Sequence, residues 1–324
     1  MMKNIIMFNT ATGSQNMGDY IICESAEREM NFLLKDNFVV NYATHTPIVH
    51  NYQQFRKNPI VKFSDSADYK FIEGTNILQY NMIRPWANLN INLFNTRPYK
   101  DVILIGAGVN PNTEKMNAYT SFLFKKILNK NYYHSVRDEK AKVKLEELGL
   151  NVINTGCPTL WMLTEEHCKK IPTKKSKKVI FTLTDYCMDI EKDQQLIDLL
   201  NKNYEEVYFW VQGSEDLEYF NSFKNVENIH IVGPNLPEYK KVLQSGDIDY
   251  IGTRLHAGVY AMQNFVRSII LIVDNRARDM KKSYNLPAIE RDSINQLDEL
   301  INSDFSTNVE IDQDSINLWK SQFK

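Results

Sequence analysis

The chain has 324 residues, of which 43% are hydrophobic and 24% are charged, and this composition excludes collagen-like, coiled-coil and low-complexity proteins. Its 38 lysine and arginine residues are offset by 40 aspartate and glutamate residues, and the formal charge of −2 argues against a broadly basic nucleic-acid-binding protein. At about 150 residues per domain, the length predicts about two domains or one large one.

The amino end begins with a short apolar run, Ile5–Phe8, which becomes polar at Asn9, too early for the apolar core of a signal peptide. No other apolar stretch approaches the roughly 20 residues that span a bilayer. The cysteines are scattered without a C-x-x-C pair, which indicates neither a disulfide framework nor a zinc site. We therefore expect a cytoplasmic protein with free thiols, no bound metal and no integral membrane segment, and peripheral membrane association stays open.

Short β-rich runs alternate with one-sided helical patterns along the first half of the chain, which is typical of a parallel sheet covered by helices. The predicted strands lie near Asn4–Phe8, Lys70–Ile72, Val102–Ile105, Tyr132–Ser135 and Val152–Ile153. Helices are predicted over Asp19–Leu34 and Asp138–Leu148, where apolar residues recur on one helical face.

A polar, lysine-rich stretch at residues 169–178 interrupts this alternation, and we interpret it as an interdomain linker. A patch that binds nucleic acid or lipid headgroups is the rival interpretation. Beyond it the alternation resumes, with predicted strands at Val179–Leu183, Val207–Val211, Ile229–Val232, Ile248–Gly252 and Ile269–Val273. Helices are predicted at Gln194–Leu200, Glu215–Phe223, Glu238–Leu243 and His256–Gln263, with terminal helices at Ser293–Ile301 and Ser315–Phe323.

These patterns predict an α/β protein with a first domain over residues 1–168 and a second over residues 179–324. In open α/β sheets, ligands bind beyond the carboxyl ends of the strands, so the loop after each strand is a candidate site. The first such loop contains Asn16, Gly18 and Asp19 and leads into a helix whose free N–H groups suit an anion. The simpler interpretation is that Asp19 caps this helix.

Two further loops in the first half have weaker signals. Gly106 and Gly108 form a G-x-G after a strand, but the third glycine of a dinucleotide fingerprint is absent. Arg137 follows the strand that ends at Ser135 and would lie at the sheet edge, either facing a ligand or solvated.

The densest candidate is Arg254-Leu255-His256, where a strand ends at Gly252 and a helix begins. The planar guanidinium of arginine matches carboxylate or phosphate, and histidine exchanges protons near neutral pH. Arg276 follows the next strand, and we expect it at the same carboxyl edge of the sheet as Arg254 and His256. Gln212 and Glu215 follow an earlier strand and are candidate ligand contacts.

Taken in order, these segments resemble the polysaccharide pyruvyl transferase family. The matching pieces are Asn16-Met17-Gly18-Asp19, Ser135-Val136-Arg137-Asp138, Gly156-Cys157-Pro158-Thr159-Leu160, Gln212-Gly213-Ser214-Glu215-Asp216, Arg254-Leu255-His256 and Asp274-Asn275-Arg276. The resemblance implies a GT-B fold, with two Rossmann-like domains that face a central cleft. It also implies transfer of pyruvate from phosphoenolpyruvate to a sugar, as a ketal, in cell-surface or exopolysaccharide biosynthesis.

The same resemblance implies roles for the candidate residues. Arg254 and His256 would be catalytic, and Arg254, Leu255, His256, Arg276, Arg137 and Gln212 would bind the donor. Asn16, Gly18, Asp19 and Glu215 would form the acceptor side or its loops, with Asp19 and Glu215 as candidate bases. Phosphoenolpyruvate is a co-substrate, no cofactor is implied, and the acceptor is a glycan or a lipid-linked oligosaccharide.

The chain departs from the family pattern at Glu73-Gly74-Thr75-Asn76, where a glycine-rich triplet is usual, and at Cys157-Pro158-Thr159, where Asp-Pro-Ala is usual. Arg276 stands where the family has a late lysine, which keeps the charge. Two other functions remain open: a nucleotide-sugar-dependent GT-B glycosyltransferase, and a non-catalytic protein that binds glycans or anions.

Overall fold

The structure, a computed structural model, describes residues 1–55, 57–83, 88–110 and 113–323. The strands of this part of the chain are β1 (Asn4–Asn9), β2 (Phe38–Ala43), β3 (Tyr69–Glu73), β4 (Ile103–Ile105), β5 (His134–Val136), β6 (Val152–Asn154), β7 (Lys178–Thr182), β8 (Glu206–Trp210), β9 (His230–Val232), β10 (Ile248–Gly252), β11 (Ser268–Ile272) and β12 (Ala288–Glu290). Its α-helices are α1 (Met17–Glu29), α2 (Asn31–Leu34), α3 (Pro59–Ser66), α4 (Ala118–Ile127), α5 (Glu139–Glu146), α6 (Glu165–Cys168), α7 (Ile190–Asn203), α8 (Asp216–Phe220), α9 (Leu236–Leu243), α10 (Leu255–Gln263), α11 (Asn275–Tyr284), α12 (Leu297–Asn302) and α13 (Gln313–Ser321).

The chain separates into two compact units. The first consists of Met1–Ser14, Ile22–Trp161 and Asp312–Lys324, and the second of Gln15–Ile21 and Met162–Ile311. The strands of each unit pair in parallel, so the predicted α/β class and its parallel sheets are confirmed.

In the first unit, the strands follow the order β2-β1-β3-β4, and β5 and β6 form a second parallel pair. A single bridge between Ala107 and Val136 connects the two groups. The core of this unit contains Phe8 and Tyr99, whose rings stack with centroids 4.6 Å apart. Strand β2 was not predicted, because it is an edge strand whose side chains are half-buried or exposed and show no continuous apolar run.

The second unit has the strand order β12-β11-β10-β7-β8-β9. Numbered from the first strand of this unit, the order is 6-5-4-1-2-3, which is that of the doubly wound dinucleotide-binding fold. Its core is formed by apolar side chains such as Phe181, Phe209 and Ile251. The predicted strands of this unit are confirmed, whereas α11 was missed because its sequence is strongly polar.

The unit boundaries differ from the predicted domain boundaries. Residues 169–178 lie within the second unit, because the backbone N–H of Ser176 donates to buried Asp249 (3.3 Å) and the Lys175 ammonium binds the Asn203 carbonyl (3.0 Å). Helix α13 belongs to the first unit, where Trp319 Nε1 donates to the Tyr133 carbonyl at 2.8 Å. The lysine-rich residues 169–178 are therefore a segment of the second unit that is held by hydrogen bonds to that unit.

Candidate functional site

The strand order of the second unit reverses between β7 and β10, and this switch point is where doubly wound sheets bind their ligands. The backbones approach closely here. A Cβ added to Gly252, the last residue of β10, would lie 2.7 Å from the backbone nitrogen of Thr182 at the end of β7. Glycine therefore ends β10 because a side chain would separate the two strands.

Arg254 lies just beyond β10 and is only 3% exposed. Its Nε donates to the carbonyl of Leu183 (2.9 Å), and its Nη2 donates to carboxylate oxygens of Asp185 (2.9 Å) and Asp216. Burial lowers the pKa of the guanidinium, but Asp216 and other neighbours outweigh it and raise the pKa above its usual value. Arg254 is thus a charged, buried group that binds residues of the loops after β7 and β8.

The Asp216 carboxylate is fully buried and accepts several hydrogen bonds besides that of Arg254. The backbone N–H groups of Gly213 (2.7 Å), Gln212 (3.2 Å) and Asp185 (3.3 Å) donate to it. One carboxylate therefore fastens the loops that follow β7, β8 and β10. Gly213 has no room for a side chain, because a Cβ would overlap Nη2 of Arg254.

Helix α10 begins directly after Arg254, with Leu255 and His256 buried in its first turn. The Tyr250 hydroxyl donates to the Arg254 carbonyl, and the Tyr239 hydroxyl donates to the Ala257 carbonyl, both at 2.9 Å. These bonds fix the helix start at the switch point. The backbone N–H groups of a first helical turn and the helix dipole favour an anion.

Arg276 lies in the first turn of α11, after β11, and its side chain is 30% exposed. Its Nη2 lies 3.3 Å from Asp274 Oδ2 and 3.4 Å from the Tyr186 hydroxyl. The Tyr186 ring also lies 5.0 Å from the Arg254 guanidinium. Nε of Arg276 is buried and has no hydrogen-bond partner among the described residues. Burial lowers the pKa of Arg276, but the charge of Asp274 and other neighbours raises it above its usual value.

The loop before α1 joins the same site. Asn16 Oδ1 accepts hydrogen bonds from the Gly18 N–H (2.9 Å) and from Nε2 of Gln212 (3.0 Å). The Met17 N–H donates to the Gln212 carbonyl at 2.9 Å. Gly18 is tightly enclosed, because a Cβ would lie 3.0 Å from Asn16 Oδ1. Asp19, half-buried in the first turn of α1, is close enough for its charge to raise the pKa of Arg276.

The remaining predicted site residues are Glu215 and Arg137. The residue before α8, Glu215, is exposed, and its neighbour Asp216 is the buried carboxylate. Arg137 belongs to the first unit, where its Nη2 donates to Asn76 and its Nε occupies the space beside Gly108. Position 108 is therefore a glycine because a Cβ there would overlap the Arg137 side chain.

The sequence prediction missed Asp185, Tyr186 and Asp216. Asp216 belongs to the Gln212–Asp216 motif and could have been chosen over Glu215 only by knowing which side chain faces inward. Asp185 and Tyr186 follow β7, the strand whose carboxyl end marks the switch point. Among the described residues, no three histidine, cysteine or acidic side chains are grouped as metal ligands, and none of the helices has the length and apolarity to cross a membrane.

Comparison with known proteins agrees with these observations. The family model of polysaccharide pyruvyl transferases matches residues 16–275, whereas no curated protein matches the sequence. Among solved structures, the Methanocaldococcus jannaschii UDP-GlcNAc 2-epimerase in complex with UDP-GlcNAc and UDP is similar, with 13% identity, a TM-score of 0.50 and 98% of each chain covered. S. aureus MnaA in its structure with UDP is 10% identical, with a TM-score of 0.50 over 98% of this chain and 94% of that one. These likenesses show the GT-B fold with two Rossmann-like domains.

Proposed function

The chain belongs to the polysaccharide pyruvyl transferase family, a family of transferases, and we propose that it transfers pyruvate from phosphoenolpyruvate to a glycan sugar as a ketal. The observation that carries this proposal is the buried, unpartnered Nε of Arg276, beside the tyrosine whose ring lies against Arg254. A buried donor without a partner is costly unless a ligand satisfies it. A small dianion is such a ligand.

The reaction needs charge neutralisation and proton transfer, with no oxidation or reduction. A proton adds to the methylene carbon of phosphoenolpyruvate, and one sugar hydroxyl attacks the adjacent carbon and loses its proton. The C–O bond to phosphate then breaks, and a second hydroxyl of the sugar closes the ketal and releases its proton. The products are the ketal and inorganic phosphate.

Arg276 is the residue we assign to the donor anion. It is more exposed than Arg254, and Asp274 and Tyr186 hold its Nη2. Gln212 is a second donor contact, because its Oε1 is buried without a hydrogen-bond partner among the described residues while its Nε2 binds Asn16. Oε1 would accept a hydrogen bond from a hydroxyl of substrate.

His256 is the residue we assign to proton transfer. It occupies the first turn of α10 at the switch point, where the backbone N–H groups of Leu255 and His256 also favour the negative charge of the donor. A positioned general acid or base contributes about 10²–10⁴-fold to rate. Its proton would go to the methylene carbon or to the departing phosphate.

Arg254 has a different role in this proposal from the one that the sequence suggested. Because its Nε and Nη2 are bonded to Leu183, Asp185 and Asp216, it positions the loops and the start of α10. Asp19 is the better candidate for the base that accepts the hydroxyl protons, since its charge affects Arg276 whereas Glu215 is exposed. Arg137 stays a predicted donor contact.

An acceptor screen tests this function. Purified protein is incubated with phosphoenolpyruvate and a panel of free and lipid-linked oligosaccharides, and inorganic phosphate and acid-labile ketal are measured together. Equal release of both, only when an acceptor is present, supports the proposal. Transfer of a sugar from a UDP-sugar, without reaction of phosphoenolpyruvate, would replace it with a glycosyltransferase.

A further inference from the structure

The loop between β7 and α7 carries two side chains of the proposed donor site. Asp185 accepts a hydrogen bond from Nη2 of Arg254 (2.9 Å), and the Tyr186 hydroxyl lies 3.4 Å from Nη2 of Arg276. We call residues 183–189 the β7–α7 loop. The placement of Tyr186 beside Arg276 therefore depends on how this loop is held.

The first half of the β7–α7 loop is held at the switch point. The Asp185 N–H donates to Oδ1 of buried Asp216 (3.3 Å), and Nε of Arg254 donates to the Leu183 carbonyl (2.9 Å). These bonds fix the residues that precede Tyr186. The residues that follow it are held by a different set of contacts.

Arg291, which follows β12, holds the second half of the loop. Its side chain is 13% exposed, and its Nη1 donates to the Cys187 carbonyl at 2.7 Å. The same nitrogen lies 3.3 Å from Oδ2 of Asp193, a fully buried residue of α7. One guanidinium nitrogen therefore joins the residue after Tyr186 to the first turn of the next helix.

Tyr219 of α8 completes this arrangement. Its buried hydroxyl group donates to Oδ2 of Asp193 (2.6 Å) and accepts the backbone N–H of Asp189 (2.9 Å). Asp189 is the residue that caps the start of α7. The loop is thus bonded to the side chains of Arg291 and Tyr219, which meet at the same aspartate.

The charges around Cys187 place Arg291 close to the donor site. Burial, followed by the charge of Asp274, raises the pKa of the Cys187 thiol. Three guanidinium groups act in the opposite direction, those of Arg291, Arg254 and Arg276. Since electrostatic influence falls with distance, all three lie near this one residue.

We propose that Arg291 is a positioning residue for the donor. With Asp193 and Tyr219, it holds the β7–α7 loop in the conformation that brings the Tyr186 hydroxyl beside Arg276. This inference rests on the proposed binding of phosphoenolpyruvate by Arg276. Because the residue assigned to proton transfer lies on α10, loss of this network should weaken donor binding and leave proton transfer intact.

Two tyrosine variants of the same design test the proposal. Tyr219→Phe removes the hydroxyl that binds Asp193. Tyr204→Phe, the matched control, removes a hydroxyl that binds buried Asp249 at 2.8 Å, and Asp249 is likewise paired with an arginine, Arg267. Asp249 lies near the amino end of β10, away from the carboxyl edge of the sheet that carries the site.

The expected result is a change in donor affinity without a change in turnover. Tyr219→Phe and Arg291→Met should raise the Kd and KM of phosphoenolpyruvate about tenfold, with kcat within about twofold of the parent. Tyr204→Phe should keep parental values of all three at a comparable loss of thermal stability. Parental affinity in both Tyr219→Phe and Arg291→Met would overturn the proposal.

Hydrogen–deuterium exchange of the free protein tests the loop without substrate. Peptides that cover residues 183–190 should exchange faster in Tyr219→Phe than in the parent or in Tyr204→Phe. Equal exchange in all three proteins would overturn the positioning of the loop by this network. If the expected difference in exchange is seen but the parent binds no phosphoenolpyruvate, the loop is held as described and the proposed function fails.

Discussion

Arg254 and Asp216 form a buried salt bridge whose carboxylate also accepts the backbone N–H of Gly213 at 2.7 Å. The two residues are 38 positions apart in the sequence, and each follows a different strand of one parallel sheet. Their pairing fixes the loops on which Gln212 and His256 are carried. The site proposed for phosphoenolpyruvate therefore depends on an internal ion pair as well as on the residues that contact the donor.

Asp216→Asn should disable the site by leaving Arg254 with a weaker partner. Breaking a buried ion pair costs about 3–5 kcal/mol, and because Asp185 remains as a second carboxylate partner of Arg254, we expect a loss of about 3 kcal/mol in the free energy of unfolding. Urea unfolding measures this loss, and pyruvyl transfer should fall with it. Glu215→Gln is the control, because exposed Glu215 should change the free energy of unfolding by less than about 0.5 kcal/mol.

Gly213→Ala should lower turnover by displacing the Arg254 guanidinium, since the added methyl group would overlap Nη2. Gly233→Ala is the matched control in the same unit, because its Cβ would lie 3.5 Å from Nδ2 of Asn235, an ordinary contact. We expect a loss of about 1–3 kcal/mol in stability for the first variant and a smaller change for the second. Equal melting temperatures and rates for both variants would show that the Arg254 position is not critical.

His256→Gln should reduce kcat by about 10²–10⁴-fold while phosphoenolpyruvate still binds. Because His256 is buried in α10, glutamine is preferred to alanine as a replacement that fills space and forms hydrogen bonds. Exposed His230 on β9 supplies the control, His230→Gln, which should retain parental kcat. A kcat within about twofold of the parent in both variants would remove His256 from proton transfer.

Glu73→Gln should change how stability depends on pH. Burial, followed by the charge of Glu27, raises the pKa of fully buried Glu73 well above its usual value. The native state then keeps a proton that the unfolded chain loses above about pH 4.3, so stability falls as pH rises through this range. The variant cannot ionise there, and its Tm should exceed the parent's by about 2 °C or more at pH 8, with the difference shrinking toward pH 4. A constant difference between these pH values would contradict this assignment.

The sequence was sufficient for most strands of the second unit, because buried parallel strands such as β7 and β11 have continuous apolar runs at their centres. It also placed Arg254 and His256 at the end of a strand. It could not show that Arg254 forms salt bridges with Asp185 and Asp216. Which residues pair across a sheet is determined by strand order and loop geometry. Likewise, the sequence does not show which of the adjacent side chains of Glu215 and Asp216 faces inward at the start of α8.

Amino-acid composition alone did not show which unit the lysine-rich segment belongs to. Residues 169–178 read as a linker, but Lys175 and Ser176 are bonded to residues far along the chain. Helix α13 belongs to the first unit although it is last in the sequence, because Trp319 packs beside Trp161 with ring centroids 5.6 Å apart. Neither contact has a local signature, because both join residues distant in sequence.

The most direct measurement is a calorimetric titration of the protein with phosphoenolpyruvate and, separately, with UDP-GlcNAc. We expect saturable binding of phosphoenolpyruvate and no binding of UDP-GlcNAc. Arg276→Gln should bind phosphoenolpyruvate about 10–100-fold more weakly, since a hydrogen bond to a charged group contributes about 1.5–3 kcal/mol. Arg278→Gln is the control, because exposed Arg278 is paired with Glu290 at 2.8 Å and should leave the affinity unchanged. Binding of UDP-GlcNAc without binding of phosphoenolpyruvate would contradict the proposed pyruvyl transfer.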